Sequence, residues 1–481
     1  AMDCRMQEAR AFAEGAPCQV HQLHFARRLA RRAVAALERV FVVEGLCHRV
    51  QFAVVTETGG RTSHSAIIAR ALEINAGVWA QDLNVVAGAA HVPADGSPVT
   101  PVPGAGQAPA VALDVAALGG MYAGKITLIG TESGVGMRSA GQIGASAGDV
   151  RITSEGWIEN SGQISSSGAL AVRAADALES SGTLFAGTHA TLSGDDRVSL
   201  DGQVYAAGDV AVVAAGPAGR ISGGGSSILV AGYQAGGMVG ATGSVSLDAT
   251  IRAGSSGMML AGAGIEARSA SLDFSGAELA APGIALHANQ GGMNLSATRL
   301  TAQATFAAST SGLLDSRLAT ISANRLQLQA YSLDNTGGSL LQSGAAAMQF
   351  NFAGTLDNTR GRIASNGDAV QLGADALSNA GGYIEHAGAG TLEIWGQSVV
   401  GARGQIVTNG ALVIKAGQLD LDAADTRASR LTIDAARFSH RQGQLVQTGH
   451  DTAVIKVAGR LDNQAGRLAS SGGLALTGDT I

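Results

Sequence analysis

Residues 356–388, LDNTRGRIASNGDAVQLGADALSNAGGYIEHAG, contain the clearest indication of the fold. They contain two copies of one short pattern, which begin at Leu356 and Leu377. In each copy, short runs alternate between apolar and polar side chains, and clusters of Gly, Asn, Asp and Ser separate the runs. Such alternation is typical of β-strands, and the clusters between the runs are typical of turns.

The same pattern recurs along most of the chain. Copies begin at Ile158, Leu333, Leu356, Leu377, Val399, Leu419, Phe438 and Leu461. From Leu356 to Leu461 they follow one another at nearly even steps. A period of about 20 residues with two or three short strands predicts a solenoid, because one unit cannot bury its own apolar face. We therefore predict an all-β fold, a right-handed parallel β-helix roughly 85 Å long, whose hand follows from the crossover rule.

Composition agrees with a narrow solenoid and excludes several other classes of protein. The 481 residues include 68 Gly, aromatic residues make up 4%, and the formal net charge is −6. Small apolar side chains predict inward-facing ladders with little room for rings. This net charge is too small to be typical of a disordered chain. Because it is negative, it does not favour the binding of nucleic acid. Gly does not recur every third residue as in collagen, and no run of about 18 apolar residues predicts a membrane span.

Asparagine recurs at one point of the repeat. The residues concerned are Asn160, Asn335, Asn358, Asn379 and Asn463. Since stacked coils bring equivalent positions together, we predict that these side chains form a hydrogen-bonded ladder at the turns. Glycine is expected to supply the positive φ angles at the corners.

The first residues differ from this repetitive body. Gln19–Gly45 is rich in helix-forming residues, and Leu23, Leu29 and Leu37 follow a roughly helical spacing, which predicts a helix. The chain therefore divides into a helical segment, residues 1–55, an entry region with a Pro/Gly-rich loop, residues 56–110, and β-helical repeats, residues 111–481.

Two longer segments carry a family resemblance. They are IARALEINAGVWAQDLNVVAGA, residues 68–89, and GGMYAGKITLIGTESGVGMRSAG, residues 119–141. Together with the LDN repeats, they resemble filamentous haemagglutinins and the related stems of contact-dependent growth-inhibition proteins. The resemblance covers residues 66–481. In that family an amino-terminal secretion domain is expected before the matching region, and residues 1–55 do not look like one.

The resemblance implies a secreted fibre displayed on the bacterial cell surface. Its expected partners are a dedicated outer-membrane transporter of the two-partner secretion type and a receptor or glycan on host or neighbouring cells. Two functions follow from it: a filamentous adhesin, or the stem of a toxin-delivery protein whose activity would lie beyond Ile481. Neither function requires an enzyme activity, a cofactor or a metal in this chain.

A short motif favours a different class of function. The segment GGRTSHSAIIAR, residues 59–70, is similar to the swivelling domain of phosphoenolpyruvate-using enzymes, in which a Thr-Ser-His carries a phosphoryl group. That resemblance implies phosphorylation of His64, with a following helix N-terminus favouring the anion. Such a domain needs about a hundred residues of mixed structure and a barrel partner of about 250 residues, which the repeats leave no room for. His64 is therefore an alternative candidate only.

Three further sets of residues are candidates for carbohydrate chemistry. Asp420, Asp422 and Asp425 cluster, and Asp195 and Asp196 are adjacent, as carboxylates are in polysaccharide-degrading β-helices. Since neighbours along a strand face alternate ways, turn caps or a solvated face are favoured for these acids. Trp157 and Trp395 are candidate carbohydrate anchors, although a solitary Trp is more often a packing residue.

Overall fold

The computed structural model describes residues 40–41, 53–58, 64–69, 72–75, 77–91, 99–102 and 108–480. Most of the predicted helix Gln19–Gly45 lies outside these residues. The part that is described, Val40–Phe41, is a strand, so the prediction of a helix was wrong there. The local sequence VFVV consists of β-branched and aromatic residues, which favour a strand.

The described strands before residue 131 form the entry to the solenoid. They are β1 (Val40–Phe41), β2 (Ala53–Thr58), β3 (His64–Ala69), β4 (Leu72–Ile74), β5 (Gly77–Trp79), β6 (Asp82–Ala87), β7 (Ala90–His91), β8 (Thr100–Pro101), β9 (Val111–Val115), β10 (Gly120–Ala123) and β11 (Lys125–Gly130).

Short strands then follow in sets of three. They are β12 (Gly136–Ser139), β13 (Gln142–Ala145), β14 (Val150–Ser154), β15 (Ile158–Asn160), β16 (Gln163–Ser166), β17 (Leu170–Ala174), β18 (Ala177–Ser180), β19 (Thr183–Ala186), β20 (Ala190–Gly194), β21 (Arg197–Leu200), β22 (Gln203–Ala206), β23 (Val210–Ala214), β24 (Arg220–Ser222), β25 (Ile228–Ala231), β26 (Ser244–Ala249), β27 (Arg252–Gly254), β28 (Met258–Ala261) and β29 (Gly264–Ser269).

In the remaining part, some strands run through a corner and are longer. The strands are β30 (Ser271–Asp273), β31 (Glu278–Ala288), β32 (Met293–Asn294), β33 (Arg299–Thr310), β34 (Leu313–Asp315), β35 (Thr320–Gln329), β36 (Ser332–Asp334), β37 (Ser339–Gln342), β38 (Met348–Asn351), β39 (Thr355–Asp357), β40 (Arg362–Ser365), β41 (Val370–Gly373), β42 (Ala376–Ser378), β43 (Tyr383–His386), β44 (Thr391–Val400), β45 (Gln405–Thr408), β46 (Ala411–Asp420), β47 (Asp425–Ala428), β48 (Arg430–Ser439), β49 (Gln444–Gln447), β50 (Ala453–Val457), β51 (Leu461–Asp462), β52 (Arg467–Ser470) and β53 (Leu474–Thr477).

Each coil contributes one strand to each of three parallel rows. The first row begins β4, β9, β12, the second begins β5, β10, β13, and the third begins β6, β11, β14. The result is an all-β parallel solenoid of about 17 coils with about 21 residues each, which confirms the predicted architecture. At about 4.8 Å per coil, the stack is roughly 80 Å long. The hand of the coil stays a prediction.

The core is a continuous ladder of inward-facing aliphatic side chains. In the second row, for example, Ile143 stacks on Ile164, and Ile363 stacks on Ile384, all of them buried. The predicted lack of room for rings was wrong at several coils, because the interior holds rings in some of its layers. Among the described residues, the fully buried phenylalanines are Phe274, Phe306, Phe350 and Phe438.

The solenoid begins with antiparallel strands beside the first coil. β3 pairs parallel with β6 of that coil, β2 pairs antiparallel with β3, and β1 pairs antiparallel with β2. The first coil uses β4, β5 and β6 and therefore lies within residues 72–87, inside the segment interpreted as an entry region. Added antiparallel strands cover a sheet edge that would otherwise expose unpaired backbone groups.

One turn holds a left-handed residue on ten successive coils. These residues are Gly276, Ala297, Leu318, Gly337, Arg360, Gly381, Arg403, Ala423, Gln442 and Ala465, with φ between 54° and 72°. The amide groups of the first nine hydrogen-bond to the next coil, as Gly337 N does to Thr359 O and Arg360 N to Ala380 O. The expectation that glycine supplies the positive φ angles was therefore only partly right, since seven of these positions are not glycine.

Candidate functional site

His64 begins strand β3 and lies between two other strands. Its backbone is paired with Thr58 of β2 on one side and with Asp82 of β6 on the other. The residues that follow it, to Ala69, continue the strand, so no helix N-terminus follows to favour a phosphate. The phosphohistidine alternative therefore finds no support in the described residues.

The asparagines of the repeat stack where their coils are adjacent. The Asn335 side-chain amide donates to Asn358 Oδ1 at 2.7 Å, and the Asn358 amide donates to Asn379 Oδ1 at 2.7 Å. All three side chains are fully buried. Each amide also donates to a carbonyl of its own turn, as Asn335 does to Gly338 O at 3.3 Å. This row therefore fastens the turns of three successive coils to one another.

The two other asparagines have different partners. Asn160 is buried at the end of β15, and its amide donates to Ser180 Oγ at 3.1 Å, while its Oδ1 has no partner. Asn463 Oδ1 accepts from His440 Nδ1 at 2.7 Å. The polar stack is interrupted between Asn379 and His440, because Gly401 and Leu421 occupy the intervening coils. The row is thus structural and has no reactive group in an open cleft.

The clustered acids lie at turns and in ion pairs. Asp420 Oδ1 accepts from the Asp422 amide at 2.9 Å, and Asp425 pairs with Arg427 at 3.0 Å. Burial acts to raise the pKa of Asp422, but hydrogen bonds from Ser439 and Arg441 and the Arg441 charge lower it overall. The Asp422 carboxylate is therefore held ionised by its neighbours. Asp195 and Asp196 bind neighbouring coils through backbone groups, as Asp196 N does with Asp176 O.

Both candidate tryptophans lie over a glycine of the preceding coil. A Cβ placed on Gly136 would lie 2.1 Å from the Trp157 ring, and one placed on Gly373 would lie 2.1 Å from Cε2 of Trp395. Gly373 and Trp395 are directly paired on β41 and β44. Both indoles are half-buried. Only a residue without a side chain leaves this space, so each glycine positions its tryptophan.

Trp395 differs from Trp157 because it lines a shallow cleft of about 660 Å³. Glu393, Lys415, Asp375 and Gln397 lie around the same cleft. Lys415 Nζ donates to Glu393 Oε1 at 2.9 Å, and this hydrogen bond and the Glu393 charge raise the pKa of Lys415. The cleft thus presents an aromatic surface beside paired charges and further polar groups.

A second exposed aromatic group lies near the start of the solenoid. Trp79 on β5 stacks on Tyr122 of β10, with ring centroids 4.4 Å apart and an interplanar angle of 22°. Trp79 is 70% exposed. The Tyr122 hydroxyl donates to Gln142 Oε1 at 2.8 Å on the next coil. This pair forms an apolar surface on the second row.

The described residues offer neither a metal centre nor a membrane helix. Among them, no group of three or more His, Cys, Asp and Glu side chains is placed to hold a metal ion. No helix in this part of the chain is long and apolar enough to cross a membrane.

Comparison with known proteins identifies the first part of the solenoid. The model of the TPS secretion domain matches residues 47–160, which include His64, strands β2 and β3 and the first coils. The expectation that a secretion domain lies before the matching region is thereby corrected, because the match begins at residue 47 and extends through β15. No solved structure matches the chain.

The similar proteins are toxins of contact-dependent growth inhibition. The chain is 31% identical to Toxin CdiA of Yersinia pestis over 469 residues, which cover 87% of this chain and 14% of the relative. It is 43% identical to the 16S rRNA endonuclease CdiA of Enterobacter cloacae over 151 residues, 31% of this chain and 4% of the relative. It is 45% identical to the tRNA nuclease CdiA-2 of Burkholderia pseudomallei over 96 residues, 20% of this chain and 3% of the relative.

A parallel β-solenoid whose first part matches the TPS secretion domain is similar to the exoproteins of two-partner secretion. Within that class, the relatives confirm the resemblance to the stems of contact-dependent growth-inhibition proteins. Proteins of this kind are secreted and displayed on the bacterial cell surface, which is the localisation predicted from the sequence. The chain spans less than a sixth of the length of these relatives, and the nuclease activities in their names belong to those proteins.

Sequence reasoning missed the residues that accompany Trp395. Gly373, Glu393 and Lys415 lie on three successive coils and meet only because the coils stack. The repeat spacing is the one signal in the sequence that relates these residues. It places them together only when the register of each coil is known to the residue.

Proposed function

We propose that this chain combines the secretion domain and part of the rigid stalk of a surface protein of the contact-dependent growth-inhibition type. The observation that carries the proposal is the strand pairing that continues along the second row from β5 to β52, within a chain that resembles Toxin CdiA over most of its length. Since each coil packs directly on the next, the stack transmits position without a hinge.

The proposed partner of the secretion domain is an outer-membrane transporter of the two-partner secretion type. The TPS match to residues 47–160 supports this partner. In this proposal the transporter exports the chain, and the coils assemble outside the cell as a rod. The stalk then carries whatever the full-length protein attaches to it away from the bacterial surface.

The finer role proposed for the stalk is adhesion to host or neighbouring cells. The outward faces of three strand rows repeat along the rod at intervals of about 4.8 Å, which suits many weak contacts. Toxin delivery and adhesion are compatible, since a toxin-delivery protein must first hold its target cell.

The test removes whole coils from the full-length protein. Deleting residues 258–319 joins Gly257 to Thr320 and removes three coils in register, because Met258, Glu278, Arg299 and Thr320 are successive partners. The matched control deletes residues 258–309, which joins Gly257, just before a second-row strand, to Thr310, the last residue of a third-row strand, so the coils are out of register. Surface display is measured by protease accessibility, and cell binding and growth inhibition are measured in co-culture.

A stalk tolerates the first deletion and not the second. We expect display and growth inhibition within about twofold of the intact protein after the in-register deletion, and loss of display after the control deletion, because its coils cannot stack. A fall in cell binding with the number of coils removed supports adhesion along the stalk. Equal tolerance of both deletions would argue against a stacked stalk.

A further inference from the structure

The cleft around Trp395 lies at the corner where the third row turns into the first. It is lined by the end of β38, by the corner after β41 and by the middle of β44 and β46. Its volume of about 660 Å³ lies within the range of sites that bind small molecules, about 300–1,000 Å³. The cleft is an open trough, so it suits one unit of an extended ligand better than an enclosed molecule.

Trp395 is held in this trough by a specific arrangement. Its strand partner one coil earlier is Gly373, and the Cε2, Cζ2 and Nε1 edge of the indole occupies the space that a side chain at Gly373 would fill. On the next coil the strand partner is Lys415. The ring is therefore set in place before a ligand arrives, and little rotamer entropy remains to be lost on binding.

The polar groups around the ring include both donors and acceptors. Glu393 accepts from Lys415 at 2.9 Å and from Gln371 Nε2 at 3.4 Å, which fixes its carboxylate beside the ring. Asp375 and Gln397 are exposed at the rim. An apolar aromatic body with several fixed polar groups is the composition that binds a molecule with one apolar face and many hydroxyl groups.

Charge selects among such molecules. Among the described residues that line the trough, Lys415 is the one cation, and it is already paired with Glu393, while Asp375 adds a second carboxylate. The net negative charge would repel an anionic sugar, whereas a neutral sugar meets no such repulsion. The ammonium group can still donate a hydrogen bond to a hydroxyl, because it carries three N–H bonds.

We propose that the Trp395 cleft is a binding subsite for a neutral pyranose unit of a cell-surface polysaccharide. The indole packs against the C–H face of the sugar, and Glu393, Lys415, Asp375 and Gln397 bind its hydroxyl groups. Gly373 is a positioning residue that makes room for the indole. The inference deepens the proposed adhesive function, on which it rests for the source of the ligand.

The test uses the purified chain and arrays of neutral and sialylated oligosaccharides, with bacterial O-polysaccharide fragments and mammalian glycans as separate arms. We expect binding to neutral members of one arm or both, and a loss of affinity of about tenfold or more in Trp395→Ala. Trp157→Ala is the matched control, since Trp157 also lies over a glycine but does not line this cleft, and it should bind like the parent chain. Absence of binding to any neutral sugar, or equal binding by Trp395→Ala, would overturn the proposal.

A second variant separates the site from the fold. Gly373→Ala should displace the indole, lower sugar affinity and change the fluorescence of Trp395 in a chain whose other tryptophans are Phe, while the β-sheet circular dichroism is kept. Unchanged affinity together with changed fluorescence would contradict the role of the ring. Surface display of the full-length Trp395→Ala protein should be unaltered, so a failure of this proposal is distinguishable from a failure of the stalk.

Discussion

The side-chain amide of Asn335 donates a hydrogen bond of 2.7 Å to Oδ1 of Asn358, which lies at the same point of the next coil. Asn358 repeats the relationship with Asn379. Because all three are fully buried, each amide depends on its neighbours for partners. Stacked amides thus connect the turns in the same way as backbone hydrogen bonds connect the strands.

We expect Asn358→Ala to lower the local stability of these coils by about 1–3 kcal/mol, because it removes the 2.7 Å acceptor of the Asn335 amide and the donor to the buried Asn379 oxygen. The measurement is native-state hydrogen exchange of amides in β36, β39 and β42. Asn366→Ala is the control, since Asn366 is exposed and donates only to Ser343 O. An equal effect of the two substitutions would contradict the ladder.

Thr426 interrupts an aliphatic ladder of the second row. It lies between Ile406 and Leu445 on successive coils, and its buried Oγ1 has no hydrogen-bond partner. Thr426→Val should raise the free energy of unfolding of these coils by about 1–3 kcal/mol, since it removes an unsatisfied hydroxyl at nearly constant volume. Thr432→Val, at an outward-facing position of β48, should change it by less than about 0.5 kcal/mol. A destabilising Thr426→Val would show that the hydroxyl has a partner.

The left-handed turn positions differ in backbone strain. Arg360→Gly should stabilise its turn by about 0.5–1 kcal/mol, because relief of the left-handed conformation exceeds the entropy cost of glycine. Gly381→Ala should destabilise the next turn by about 1 kcal/mol for the same reason. Hydrogen exchange of the two turns provides both values. Gly283→Ala is the control, since no atom lies within 4 Å of the added Cβ and its φ is not left-handed, and it should not destabilise its strand.

His440 should make the last coils sensitive to acid. Burial lowers the pKa of His440 and outweighs the Asn463 hydrogen bond and the Asp422 charge, which raise it. His440 Nδ1 donates to Asn463 Oδ1. A second proton on the ring would lie on Nε2, which is buried and has no hydrogen-bond acceptor beside it. In the unfolded chain this histidine has a pKa of about 6.5, which is above its pKa in the folded chain, so the unfolded chain binds the proton first as the pH falls. The contribution of neutral His440 to stability is therefore complete above about pH 6.5 and is lost as the pH falls through that value.

The variant that tests this sensitivity is His440→Asn. Asparagine can bond Asn463 as the other asparagines bond one another, so the loss of stability between pH 7.5 and pH 5 should shrink at β48 and β51. His450→Asn, at an exposed position, should keep the parent's pH dependence. If His440→Asn also keeps it, the acid sensitivity belongs to another group.

The sequence was sufficient to predict the architecture. The even spacing of Leu333, Leu356 and Leu377 indicated coils of nearly equal length, because every coil must return the same apolar positions to the core. The Asn335 to Asn379 stack followed from the same spacing. Alternation of apolar and polar residues predicted the strands, and the repeat period predicted that they pair in parallel.

The rest depends on exact register, which spacing alone does not supply. Gly373 and Trp395 are partners only when their coils align to the residue. Phe274 and Phe350 enter the core because individual layers are wide enough, and average composition does not reveal single layers. Leu318 and Arg360 adopt left-handed angles because hydrogen bonds to the next coil hold the turn, so a preference for glycine is overridden.

The most direct test of secretion through the first coils measures export of the chain behind a secretory signal peptide, in cells with and without an outer-membrane transporter of the two-partner secretion type. One variant lacks residues 47–160, and a variant of similar size lacks residues 299–404, five coils removed in register. We predict that the parent and the second variant reach the medium only with the transporter, while the first variant remains in the periplasm. Export of the first variant as efficient as that of the parent would contradict this role of residues 47–160.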